Sequence, residues 1–294
     1  MQTCDSLNIH DVCINTNKTN KGSHGVFIPL MNLRSKEPIL IQTPKMYAPF
    51  GAGCYKKSEV IAAGKIPRYD VQLSLDASTH KIEKLGHFLM DLDAKVLRAI
   101  SQDESILQLL NVKKINKKTG KPKTLEEIQD DLENNKYTPI VRIKPESKYP
   151  PLFKIAIARD SKTQCIDTFC NIGDKSIALT DDNIDEIFHK NMICKCVFWI
   201  SHIWVLSNRF GVSLKLKRCK LFPRGPNTYG FLPSSDDENE QPSSTQKQSQ
   251  SVMNESNDTN NDTENTNDIN DIDNINNIND SNDDHSDNSN PNDQ

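Results

Sequence analysis

The side chains best suited to chemistry in this 294-residue chain are cations set beside aromatic rings. One group falls in a glycine- and aromatic-rich stretch: Lys45, Tyr47, Phe50, Tyr55, Lys56 and Lys57, leading to Arg68 and Tyr69. A second comes late: Trp199 and Trp204, then Arg209, Lys215, Lys217, Arg218 and Lys220. Lysine and arginine can follow a phosphate backbone while ring faces stack bases, each stacked base contributing about 1–3 kcal/mol. A third group, Lys113, Lys114, Lys117, Lys118, Lys121 and Lys123, holds six cations around Thr119-Gly120 and no ring, the composition of a solvated turn. The first two groups also have plain structural uses. Tryptophan is mostly buried, and Lys215 and Lys217 suit the wet face of an edge strand. Trp199 and Trp204 are five apart, so a regular strand would point them to opposite sides, with at least one in the core.

Other chemistry finds less support. Asp91 and Asp93 would be the carboxylate pair of a metal-dependent nuclease, yet two positions apart on a helix they diverge. Neither a glycine-rich phosphate loop ending in Lys-Ser or Lys-Thr nor a Gly-x-Ser-x-Gly elbow occurs. No catalytic residue is assigned. Cys165 and Cys170 with Cys194 and Cys196, flanked by His189 and His202, are the candidate zinc ligands. Their spacing argues against a site: Cys-x4-Cys is wide, and Cys194 and Cys196 are expected on opposite sides of a strand. The cysteines therefore read as small buried hydrophobes, with no metal and no cofactor expected.

The elements that must position these residues are mostly strands. Gly25–Leu33 and Pro38–Thr43 read as two, the second bounded by prolines that suit a sheet edge. A loop-rich stretch from Pro44 to Ile66 follows, then a strand in which Tyr69, Val71, Leu73 and Leu75 alternate with Asp70, Gln72 and Ser74. The period then changes. Ile82, Leu85, Phe88, Leu89, Leu92, Val96 and Ile100 share one face of a helix of about five turns, and Ile106–Leu110 extends the helical region. Thr124 with Glu127 makes a capping box that opens a helix to about Asn134. Strands are expected at 139–144, 152–158 and 165–171, and a short helix at 181–190 with acids first and His189 and Lys190 last. Ile193–Leu206 and Gly211–Phe222 form the clearest pair, joined as a hairpin through Asn208 to Gly211. In the second, Val212, Leu214 and Leu216 alternate with Ser213, Lys215 and Lys217.

The overall formal charge of -4 hides a division. From Ser234 to Gln294 there are 16 acids against the single Lys247, whereas the preceding 233 residues hold 35 Lys and Arg against 24 acids, so -15 opposes +11. All 18 aromatics precede Ser234. Three regions result: a flexible polar arm at 1–24, a nucleic-acid-binding domain at 25–233, and a disordered acidic Asn/Asp/Ser-rich tail at 234–294. No apolar run reaches the length of a membrane span, residues 1–25 do not resemble a secretion signal, and eight irregularly spaced cysteines suit a reducing compartment. A mainly β body with inserted helices, lysines and loop-borne rings suggests an OB fold, a five-stranded Greek-key barrel with extra elements.

The stretch Ile39-Leu40-Ile41-Gln42-Thr43-Pro44-Lys45-Met46-Tyr47-Ala48-Pro49-Phe50-Gly51, the alternating strand at Tyr69–Leu75, and the late strand from Phe210-Gly211-Val212 to Phe222 before an acidic tail resemble the single-stranded DNA-binding proteins of large cytoplasmic DNA viruses. That family is related to the replication single-stranded DNA-binding protein of short-tailed coliphages. The resemblance spans roughly Gly25–Phe222. It implies an OB fold, sequence-independent binding of single-stranded DNA in replication, recombination and repair, a homodimer, and a viral protein of the host cytoplasm or the virion that is not secreted. The phage relative ends its acidic tail on an aromatic residue; this one ends Pro291-Asn292-Asp293-Gln294, which weakens any carry-over of tail contacts to viral replication proteins. The competing reading is a non-catalytic virion or transcription-associated protein that binds nucleic acid non-specifically.

Overall fold

The computed structural model describes residues 1–222, apart from 17–18, 22–24, 55, 117–119, 145, 161 and 207. Tyr55, part of the lysine loop and the whole acidic tail lie outside the described residues. In chain order the strands are β1 (Gln2–Thr3), β2 (Val12–Ile14), β3 (Asn20–Lys21), β4 (Val26–Asn32), β5 (Ile39–Gln42), β6 (Met46–Ala48), β7 (Ala52–Gly53) and β8 (Asp70–Ser74). They continue with β9 (Tyr137–Thr138), β10 (Val141–Arg142), β11 (Leu152–Ile157), β12 (Phe169–Ile172), β13 (Lys175–Ala178), β14 (Met192–Val205) and β15 (Phe210–Phe222). The helices are α1 (Lys57–Ala62), α2 (His80–Gln102), α3 (Glu104–Leu109), α4 (Leu125–Asn135) and α5 (Ile184–Ile187).

The architecture turns on the long antiparallel pair β14–β15. Short strands cover both of its outer edges. Along β14 lie β6 against Met192–Cys194, β5 against Val197–Ile200 and β4 against His202–Val205, all antiparallel. Along β15 lie β9, β11 and β12, all parallel, and β11 passes the sheet on to β8 and β7. The protein is thus mainly β with few helices. One face of the central pair is apolar: Cys194, Cys196, Phe198, Ile200, Ile203 and Val205 on β14, with Phe210, Leu214, Leu216, Cys219 and Leu221 on β15, are all buried. The apolar face of α2 joins the same core through Ile82, Leu85, Leu89, Leu92, Val96 and Ile100. Helix α2 starts at Thr79, whose hydroxyl accepts from the Ile82 N–H, and α4 starts at the expected Thr124–Glu127 capping box.

Three expectations meet the structure differently. Residues 1–16 are not a free arm: Gln2–Thr3 pairs with β5, and Cys4 and Val12 are in the core. Lys95 Nζ donates to the carbonyls of Ile9 and Val12 (2.9 and 2.6 Å), and Lys84 Nζ donates to that of Asp5 (2.9 Å). The segment shows no sequence period because such side-chain grips on backbone oxygens need none. Secondly, β5 does lie near the sheet edge as expected, but the two-residue β1 is outside it and pairs with Ile41 and Gln42. Thirdly, the helix expected at 181–190 is one turn, α5, because the chain must straighten to enter β14 at Met192. Asp93, weighed above as a nuclease carboxylate, has a structural use. It accepts from the Tyr137 hydroxyl (2.5 Å) and from the Ile140 and Val141 N–H groups, fastening α2 to the segment of β9 and β10.

Candidate nucleic-acid interface

The opposite face of the central pair carries the cations, and two bulges decide which ones. Ser201 is an extra residue on β14, between the pairs Ile200–Leu214 and His202–Ser213; Lys217 is an extra residue on β15, between Leu216–Phe198 and Arg218–Val197. An inserted residue inverts the side-chain parity of everything beyond it. Beyond Lys217, even-numbered Arg218, Lys220 and Phe222 therefore share a face with odd-numbered Lys215. Beyond Ser201, Trp204 shares a face with Trp199. The expectation that the two tryptophans oppose one another fails for this reason.

Directly opposed residues lie on the same face, so the register builds this outer surface row by row. Tyr47, Ile193 and Phe222 form the first row; Lys195, Lys220 and Asn171 the second. Gln42, Val197, Arg218 and Phe169 form the third; Leu40, Trp199 and Lys215 the fourth. Phe169 is 56% exposed. Across these rows opens a cleft of about 930 Å³, in which Trp199, Lys195, Lys217, Arg218 and Lys220 face a single acid, Asp174. Met1, Pro38 and Leu40 complete its wall, so the N-terminal segment helps to shape it.

The cations of this surface sit on its rings. Lys215 and Lys217 Nζ lie 5.8 and 6.0 Å from the Trp199 ring centroid, and Lys45 and Lys220 Nζ lie 4.9 and 5.8 Å from that of Phe222. Lys217 also pairs with Asp167 at 3.0 Å. The Trp199 indole N–H is buried and has no hydrogen-bond partner among the described residues. Cation–π contacts at partly exposed sites are worth only about 0.5–1 kcal/mol. A base could therefore displace a lysine from a ring, and the released cation could meet the phosphate.

The remaining sequence candidates scatter. Lys45 and Tyr47 reach the outer surface; the Tyr47 hydroxyl bonds to Asn191. Phe50 is 54% exposed in the following loop. That loop is itself structural: Gly51, at φ +71°, passes so close to the backbone of Phe188 and His189 that a side chain would collide with it. Lys56 pairs with Glu59 (3.1 Å), and Lys57 with Asp185 (2.5 Å). The hydrogen bond to Asp185 holds the Lys57 ammonium well above its ordinary range. Tyr69 is a correction: it is 3% exposed, on the core side of its strand, with Lys57 and Arg159 over its ring. Arg68 precedes it, outside the cleft lining, and Arg209 lies in the β14–β15 turn. Trp204 is 6% exposed, its ring flat on Gly211, where any Cβ would approach it to 2.7 Å. It is a lid on the sheet rather than an open stacking surface. In the lysine loop, Lys114 and Lys123 pair with Glu104 and Asp131, as a local turn would. Sequence reasoning missed Lys195, Phe169 and Phe222. Lys195 was hidden in an apolar strand, though its alternation with Cys194 and Cys196 signals an outward residue.

His202, beside Trp204 on this face, is pushed down to about 4 by burial, with Lys215 adding repulsion. On the inner face the cysteines differ from expectation. Residues two apart on a strand share a face, and Cys194 and Cys196 do so with Sγ atoms 3.7 Å apart; Cys219 lies 3.8 Å from Cys196. Cys165 is exposed and separate from them. No helix among the described residues is long and apolar enough to cross a membrane.

No family model and no curated protein matches the sequence. Solved structures that show likeness to it include the following three. The single-stranded DNA-binding protein gp2.5 encoded by bacteriophage T7 is 11% identical, with a TM-score of 0.35 over 68% of this chain and 92% of that one. The single-stranded DNA-binding protein from bacteriophage Enc34 in complex with ssDNA is 12% identical, with a TM-score of 0.33 over 72% and 96%. A second structure of the Enc34 protein is 13% identical, with a TM-score of 0.33 over 74% and 98%.

Proposed function

We propose that this chain binds single-stranded DNA without sequence preference, as a non-catalytic OB-type protein of viral DNA replication, recombination and repair. The motif resemblance to the proteins of large cytoplasmic DNA viruses supports that setting. The observation that carries the reading is the outer surface of β14–β15, where Trp199, Phe169 and Phe222 stand among Lys195, Lys215, Lys217, Arg218 and Lys220 at strand spacing. Rings held flat on a sheet suit unpaired bases, whose faces are accessible; the bases of a duplex are stacked on each other and offer only their edges.

A competition between single-stranded and duplex DNA over a salt series tests it. The expected result is preference for the single strand, with log affinity falling by about 0.7 per log unit of salt for each phosphate contacted. Equal affinity for duplex would sink this reading in favour of a non-specific packaging or transcription-associated role.

A further inference from the structure

On the core side of the same strands lies a cluster that strand binding does not use. Cys194 and Cys196 on β14 and Cys219 on β15 are buried, with their Sγ atoms all within 4.8 Å of one another. Cys170 on β12 is directly opposite Cys219 in the register, on the same face and 0% exposed. Four of the chain's eight cysteines, from three adjacent strands, thus converge at one place. We propose that Cys170, Cys194, Cys196 and Cys219 form a structural zinc site with four thiolate ligands.

The spacing supports it. A tetrahedral zinc ion with Zn–S bonds of about 2.3 Å separates its sulfurs by about 3.8 Å. The Sγ atoms of Cys194 and Cys196 are 3.7 Å apart and those of Cys196 and Cys219 3.8 Å. The fourth ligand, Cys170, is paired with Cys219 across β12 and β15, and its thiol already interacts with that of Cys219. Zinc entry would release four protons and leave the ion with its ligands at a net charge of -2, with no change of oxidation state. That buried charge is expensive unless compensated. Compensation is available one pleat away: Lys195 lies between Cys194 and Cys196 in sequence, and Arg218 and Lys220 flank Cys219, all projecting from the other side of the sheet. The all-sulfur ligand set suits zinc rather than magnesium or calcium, which prefer oxygen.

The test uses the full chain, reduced and reconstituted with zinc alone. Metal analysis is expected to give about one zinc per chain, and cobalt(II) in its place should give the intense visible absorption of a tetrahedral thiolate site. Cys219→Ala should lower zinc affinity at least tenfold, while Cys165→Ala, outside the cluster, should leave it unchanged. If Cys219→Ala does not fold, Cys170→Ala, on the four-residue strand β12, should show the same loss. A folded protein holding less than a tenth of a zinc per chain after reconstitution would overturn the proposal. So would zinc retained in full by the folded Cys170→Ala variant. Preference for single strands is measured separately, so the two proposals can fail independently.

Discussion

Trp199 and Trp204 are the only tryptophans, and the structure gives them different surroundings on one face. Trp199 lines an open cleft beneath two lysines; Trp204 is pressed onto Gly211. Oligo-dT should therefore quench Trp199 alone. A Trp204→Phe variant should keep the quenching, Trp199→Phe should lose it, and Trp199→Ala should weaken binding by roughly 5- to 150-fold, the worth of one stacked base. Undiminished quenching in Trp199→Phe would move the stacking surface elsewhere. His202 supplies a pH signature. Its folded pKa, about 4, lies below the ordinary 6.5, so its neutral form contributes fully above pH 6.5. As pH falls from 6.5 to 4 the unfolded chain takes up a proton that the folded one refuses, and stability declines by up to about 3 kcal/mol. Denaturant titrations of wild type and His202→Gln over that range should show a steeper decline in wild type; parallel curves would mean the imidazole is not held neutral.

At the scale of elements, what could be read from sequence was local. Helix α2 is legible because its apolar residues repeat within single turns, and α4 because its cap lies three residues from its partner. Likewise Lys215 and Lys217 are recognisable as outward residues from alternation alone. The bulges were not legible, because an extra residue is defined only against a partner strand. That is why the face of Trp204 was misjudged, and why Arg218 and Lys220 could be grouped with Lys215 by charge but not by parity. Deleting Ser201 removes the extra residue and should leave Ile200, Ile203 and Val205 facing the core, whereas deleting the paired Lys195 should throw the two halves of β14 out of phase, forcing Met192 and Cys194 or Cys196 and Phe198 off the core. The Lys195 deletion should lose more than about 4 kcal/mol or fail to fold, whereas Ser201→Ala should cost no more than about 1 kcal/mol. Comparing their thermal midpoints checks this; a Lys195 deletion as stable as wild type would deny the register its role.

For the whole molecule, the division of charge remains the most consequential feature of the sequence. A basic outer surface and a covalently attached segment of net charge -15 compete for the same ions. A random coil of 61 residues would span roughly 45 Å, a distance sufficient to reach that surface. Removing 234–294 should raise affinity for single strands at low salt, with the advantage fading as salt screens both interactions. Equal or weaker binding by the truncated chain would make the segment irrelevant to the interface. Its negative charge was legible in composition; where it lies was not.

The placement of β14 and β15 has a consequence in time as well as in space. They are the last two strands among the described residues, yet they hold the edges of β4, β5, β6, β9, β11 and β12, which come earlier in the chain. During synthesis the earlier strands emerge with no central partner to pair with, and the sheet cannot assemble until residue 222 is available. Such distant pairing implies slow folding and a transient period of exposed apolar strand edges, in which a nascent chain depends on chaperones more than its final stability would suggest.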